Sequence, residues 1–132
     1  MTTEMTMLTY AVALLLVLVL IQATSGVLAQ GLMPMAGHRD NLPAPKPFQA
    51  RMLRVVDNHR EGLVMFAPLV LVAAFMNLSN TWTVLGAQMF FYGRLAHAII
   101  YVAGWPLIRP LAWAVGIAGT VLVLLSLLGI LN

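Results

Sequence analysis

The sequence predicts an all-α integral membrane protein, a bundle of four transmembrane helices forming one domain over residues 1–132. Composition is the first sign: 61% of the 132 residues are hydrophobic and 8% are charged, where soluble domains carry nearer a quarter. Four apolar, helix-length stretches separated by a Pro- and Gly-containing loop, an Asn- and Ser-containing turn and a Trp-Pro stop are the second. The third is the gathering of Lys and Arg into the loops of one side.

The first span is read over about residues 7–29, where only Thr9, Gln22, Thr24, Ser25 and Gly26 are weakly polar. At about 1.5 Å per residue it is long enough for a hydrocarbon layer of about 30 Å. Val27-Leu28-Ala29 resembles a signal-peptide cleavage site, but the residues before the stretch carry Glu4 and no Lys or Arg, which favours a retained span. Gly31 to Phe48 reads as a loop, because Pro34, Gly37, Pro43, Pro45 and Pro47 oppose regular helix. The second span covers about 49–76, polar at first and apolar from Leu63, with a kink expected at Pro68. Asn77 to Asn80 is a tight turn. Its match to a glycosylation acceptor at Asn77-Leu78-Ser79 is read as chance. The third span covers about 81–104, with Trp105-Pro106 as its stop, and Arg109-Pro110 opens the fourth, about 109–131. Ala112, Gly116 and Thr120 form a small-residue stripe suited to close helix packing. Trp82, Trp105 and Trp113 fall near span ends, as interfacial anchors do.

Arg39, Lys46, Arg51, Arg54 and Arg109 lie on one side, with Arg60 just inside the second helix. The opposite turn and both termini have no Lys or Arg. The positive-inside rule therefore puts both termini outside and the basic loops in the cytoplasm. The chain has no cysteine, so disulfides, cysteine-ligated metal and a protein thiol nucleophile are excluded. No metal is expected, and any sulfur chemistry must use a thiol brought by a substrate or cofactor. A net charge of +3 without a basic run gives no support for nucleic-acid binding.

Charged groups at membrane depth are costly, by about 2.5 kcal/mol or more on insertion scales, and mark functional sites. At about 100° per residue, Arg51, Arg54, Asn58 and Glu61 share one arc of the second helix. Arg94, His97 and Tyr101 share one on the third. Glu61 and Arg94 each lie about 15 Å in from the same end, which predicts that they pair. Above that pair, Arg51, Arg54, Asn58, His97, Tyr101 and Arg109 would surround a polar pocket suited to a small polyanion, since guanidinium groups match carboxylates bidentately. Taken singly, each has a plainer role. Arg51 and Arg54 fit interfacial snorkelling, His97 a satisfied interior histidine, Tyr101 an interface aromatic, and the Glu61–Arg94 pair a structural contact. Asp57 would neutralise Arg54 or Arg60. The convergence of six groups at one membrane end favours a site.

Arg51-x-x-Arg54-x-x-x-Asn58-x-x-Glu61 resembles the second-helix signature of the MAPEG family, the membrane-associated proteins in eicosanoid and glutathione metabolism. Phe91-x-x-Arg94-x-x-His97-x-x-x-Tyr101 is similar to the third-helix pattern of its prostaglandin E synthase branch, and the compact loops resemble a bacterial-type member. The resemblance implies a homotrimer in the bacterial inner membrane, with glutathione bound between subunits and open to the cytoplasm. By the same match, Arg51, Arg54, Asn58, Glu61, Arg94, His97 and Tyr101 would bind or organise glutathione. Arg109 would be the catalytic cation that favours the thiolate. That thiolate would attack a lipophilic electrophile or hydroperoxide arriving from the membrane lipid. The chain departs from the pattern at Asp57, which stands where that branch has an arginine, and at Pro110, which replaces a serine. It departs again at Gln30 to Met33, where eukaryotic members carry a basic cluster. An endogenous eicosanoid substrate is therefore not expected. The expected activity is that of a glutathione transferase or peroxidase. The alternatives are a non-catalytic member that binds lipid or a partner, and a small transporter using Glu61, Arg94 and His97 as a relay.

Overall fold

The structure, a computed structural model, describes residues 1–40, 42–105 and 107–132. Its five helices are α1 (Thr3–Gln30), α2 (Leu32–Ala36), α3 (Pro47–Phe75), α4 (Thr81–Ala103) and α5 (Arg109–Leu127), with no strand among the described residues. The four long helices occupy the four predicted apolar stretches and run alternately up and down. Two contacts at opposite ends fix that order. At one end Glu4 of α1 accepts hydrogen bonds from Ser79, just before α4, and Thr83, in its first turn. At the other, Gln30 at the end of α1 donates to Gln49 at the start of α3 (3.3 Å). α1 and α5 are each long and apolar enough to cross a membrane, whereas α3 and α4 carry the polar stripes.

Local chemistry sets the helix ends. The Thr2 side chain caps α1 by accepting from the Met5 N–H. Asn80 caps α4, accepting from the Trp82 and Thr83 N–H groups while Thr83 accepts from the Asn80 N–H, which satisfies donors that a helix start leaves orphaned. Proline opens α3 and α5, where a missing N–H costs nothing. α3 runs unbroken through Pro68 as far as Phe75.

Three expectations need correction. The segment from Gly31 to Phe48 is not all loop, because α2 forms inside it. Pro34 sits in the first turn of that helix, where its N–H would have had no partner in any case. α4 ends at Ala103, and its stop is Gly104, whose positive φ of 80° lets the Gly104 and Trp105 N–H groups turn back onto the Tyr101 and Ile100 carbonyls. Pro106, read as part of that stop, lies outside the described residues. α5 ends at Leu127, short of the predicted 131, and is followed by Gly129 at φ 78°.

Two apolar clusters hold the bundle. One gathers Met7, Leu8, Ala11, Leu63, Phe66, Val70, Ala87, Phe90 and Val123, with the Phe66 and Phe90 rings stacked at 3.9 Å. The other joins Leu18, Met52, Val55, Val56 and Ala98 nearer the basic end. α4 and α5 approach much more closely. A Cβ added at Gly86 would lie 2.5 Å from the Gly119 carbonyl oxygen, one at Gly93 2.9 Å from the Gly116 nitrogen, and one at Gly119 would collide with the Gly86 carbonyl. The small-residue stripe of Ala112, Gly116 and Thr120 is buried in this seam, so it packs within the chain. Where lipid is as apolar as leucine, such backbone contact supplies dispersion that hydrophobicity cannot. Gly119→Ala should therefore destabilise the fold by about 1–3 kcal/mol, the usual cost of overpacking. A lowered unfolding midpoint in detergent, with Ala118→Leu on the exposed face unchanged, is the expected reading.

Candidate functional site

The site is organised by Arg94. Its side chain is 3% exposed and crosses from α4 towards α3 between two glycines. A Cβ at Gly116 would meet the Arg94 Cδ at 3.2 Å, and one at Gly62 would meet Nη2 at 2.5 Å and Nε at 2.8 Å. Any larger residue at position 62 would take the space of the guanidinium. The bare backbone there opens the Asn58 carbonyl, which in a helix points toward the residue four places on. Nη2 donates to that carbonyl and Nη1 to the Asn58 side-chain oxygen at 2.8 Å. One asparagine thus satisfies both terminal nitrogens of a buried cation, and the bonds tie α4 to α3.

A cleft of about 310 Å³ opens beside this knot, lined by Asn58, His97, Tyr101, Arg109, Pro110 and Trp113. α3 contributes Asn58, α4 contributes His97 and Tyr101 one turn apart, and the first five residues of α5 contribute Arg109, Pro110 and Trp113. His97 is 3% exposed, and its ring meets Tyr101 edge-on at 5.6 Å. The Arg109 guanidinium lies 4.5 Å from the Tyr101 ring centre. From the α3 side, Arg54 Nε donates to the Tyr101 hydroxyl at 2.8 Å. Tyr101 is therefore held between two cations, one at its face and one at its hydroxyl. Arg109 is the one cation of the lining; with imidazole, amide and aromatic groups beside it and no carboxylate, the cleft favours an anionic guest. Its volume is at the small end of ligand pockets.

The predicted residues divide into three groups. Asn58, His97, Tyr101 and Arg109 line one cleft, while Arg54 and Arg94 brace it through Tyr101 and Asn58. Arg51 stands apart: it lies against the Phe48 ring at 5.9 Å, near Gly104, and its Nε is buried without an acceptor. Glu61 is on the exposed face of α3. The expected Glu61–Arg94 pair does not form within the chain, because the gap over Gly62 steers the guanidinium to Asn58. Asp57 pairs with Arg60 at 2.5 Å, on a face where both side chains are more than half exposed. Such a pair contributes little to stability.

Sequence reasoning passed over Gly62 and His59, and read Trp113 only as an interfacial anchor. His59 is buried and donates from Nε2 to the Ala11 carbonyl at 2.8 Å, tying α3 to α1. The spacing of Gly62 four residues after Asn58 was the available signal. Glu4 was noticed only as a charge ahead of the first span. It is 2% exposed.

Asn58→Ala should cost about 1.5–3 kcal/mol, since it removes a charge-assisted bond and leaves a buried donor unpaired. Asn58→Asp, which keeps an acceptor, should recover most of that loss in the same chemical-unfolding measurement. An equal loss in both variants would rule out Asn58 as the anchor of Arg94.

No curated protein and no solved structure matches the chain significantly. The profile of the MAPEG family matches residues 7–129, nearly the whole chain and both polar stripes. The helical bundle, its apolar outer helices and this match agree, and the chain belongs to the MAPEG family of integral membrane proteins.

Proposed function

We propose that the protein is a membrane-embedded glutathione-dependent transferase or peroxidase. Its cleft would bind the tripeptide and ionise its thiol for attack on a lipophilic electrophile or hydroperoxide. The observation that carries this reading is the convergence of Asn58, His97, Tyr101 and Arg109 on one cleft without an acid. Glutathione brings two carboxylates, which such a lining can receive. It also brings the sulfur that a chain without cysteine lacks. Arg109 is the catalytic candidate. Packed on Tyr101 at the cleft wall, its guanidinium favours the charged form of a nearby thiol, whose free pKa is about 8.5. Arg54 and Arg94 act as positioning residues.

The reading includes four membrane crossings, with both termini outside and the cleft facing the cytoplasm of a bacterial cell. It also includes a homotrimer. Glu61, with Arg54 on the same outward face of α3, would then complete the site for a neighbouring subunit. In the isolated chain Glu61 has no partner of opposite charge within ion-pair distance among the described residues, and at membrane depth such a carboxylate calls for one.

A second reading, a non-catalytic member that binds lipid or a partner, is favoured by one observation. The end of α1 nearest the basic loops presents Gln30 to Gln49 and no cation, so α1 offers no anchor for a carboxylate. Calorimetry that finds glutathione binding without turnover would favour it.

With glutathione and 1-chloro-2,4-dinitrobenzene in detergent, Arg109→Ala should lower turnover by about 10²-fold, the scale for loss of one charge-stabilising donor. The deficit should shrink as the pH rises towards about 8.5, where the free thiol ionises unaided. Absent wild-type turnover with this substrate and with a lipid hydroperoxide, or a deficit that does not change with pH, would sink the catalytic role of Arg109. Native mass spectrometry should find three copies per particle.

A further inference from the structure

At the end of the bundle away from the cleft, the structure assigns a second binding site, for a small monovalent cation, built on the buried carboxylate of Glu4. Glu4 lies in the first turn of α1 and is 2% exposed. Its Oε1 accepts from the Ser79 hydroxyl at 2.8 Å and the Thr83 hydroxyl at 2.5 Å. Its Oε2 is buried and meets no donor. Glu4 and Ser79 line a cavity of about 170 Å³ together with Thr2, Asn77 and the apolar side chains of Val70 and Ala73.

The surroundings select the sign of the guest. All seven Lys and Arg side chains belong to residues 39–109, and none lies in the first turn of α1, the last turn of α3 or the first turn of α4. No cationic group among the described residues is within ion-pair distance of Glu4. α3 ends at this cavity, where Ala73 and Ala74 form its wall. Its C-terminus carries partial negative charge, which opposes the partial positive charge of the α1 and α4 N-termini beside the carboxylate. A buried carboxylate with one oxygen unsatisfied is costly, and a cation in the adjoining cavity offsets that cost.

The same surroundings select its valence and size. The other three acids of the chain, Asp40, Asp57 and Glu61, lie in the basic half. A divalent ion such as calcium takes six to eight oxygens and usually several carboxylates. One carboxylate, the hydroxyls of Thr2 and Ser79 and the Asn77 amide oxygen suit a single positive charge. Ser79 donates to Glu4 and so keeps its lone pairs available. An alkali ion and a primary ammonium group, including that of a lipid headgroup, share this chemistry.

The test uses the full chain in detergent. Thermal unfolding is followed in sodium, potassium, methylammonium and choline chlorides at equal ionic strength, choline being a cation whose methyl groups shield its charge and leave it no N–H to donate to Glu4. Between about 1 and 300 mM, at least one small cation should raise the midpoint saturably by about 4 °C or more over choline. A response to sodium or potassium identifies an inorganic ion, and one to methylammonium alone an ammonium headgroup. Glu4→Gln should abolish the difference. Ala74→Leu, which keeps the Glu4 hydrogen bonds and narrows the cavity, should weaken the apparent affinity about tenfold or more. Identical wild-type midpoints in all four salts would overturn the proposal, as would a small-cation effect that both variants retain in full.

Discussion

A guanidinium held inside an apolar bundle is the constraint on which the rest of this structure depends. Arg94 must be charged to be useful and must be satisfied to be tolerated. The chain meets most of that need through absences of side chain and leaves Nε without an acceptor. Gly62 opens the Asn58 carbonyl, and Gly116 makes room for the aliphatic stem. Three helices are therefore fixed by one side chain. α4 carries it, α3 receives its head and α5 flanks its stem. A buried charge whose partner is removed is strongly destabilising, so Asn58 and Gly62 are as necessary as Arg94 itself.

The cleft follows from that knot. With Asn58 fixed by Arg94, its α3 wall cannot rotate away. His97 and Tyr101 follow Arg94 along the same face of α4, one and two turns on. α5 starts at Arg109, whose guanidinium reaches the Tyr101 ring. Arg54 closes the frame from the first half of α3. The polar groups are braced through one another, which holds them in place before a ligand arrives and lowers the ordering cost of binding. At the opposite end Glu4 joins α1 to the capped start of α4, so each end of the bundle has its own polar fastening around an apolar middle.

Much of the design could be read in the residues. Hydrophobic runs separated by Pro, Gly and Asn turns located all four long helices, and the helical period placed Arg54, Asn58, His97 and Tyr101 on converging faces. The pairing of charges could not be read in the same way. Glu61 and Arg94 have matching depth, yet depth is one coordinate of three. The azimuth of each side chain depends on how the helices rotate against one another, and that rotation is set by glycines whose effect is to permit contact. Arg51 lies outside the cleft of the single chain for a related reason: it shares the stripe of Arg54, but near the start of α3 it turns to Phe48.

What the sequence determined by itself is the class of solvent around the protein, the number of long helices, the separation of a basic end from one without Lys or Arg, and which residues could act. Hydropathy and helical period are one-dimensional quantities, and the chain states them directly. Tertiary structure alone decided that Arg94 is held by Asn58, that the small-residue seam lies inside the chain, and that Glu4 is a buried group with an oxygen to spare. Each is a matter of atoms from distant helices meeting within about 3 Å, the hydrogen-bond scale. Helix rotations far smaller than one turn settle such meetings, and no residue spacing records them.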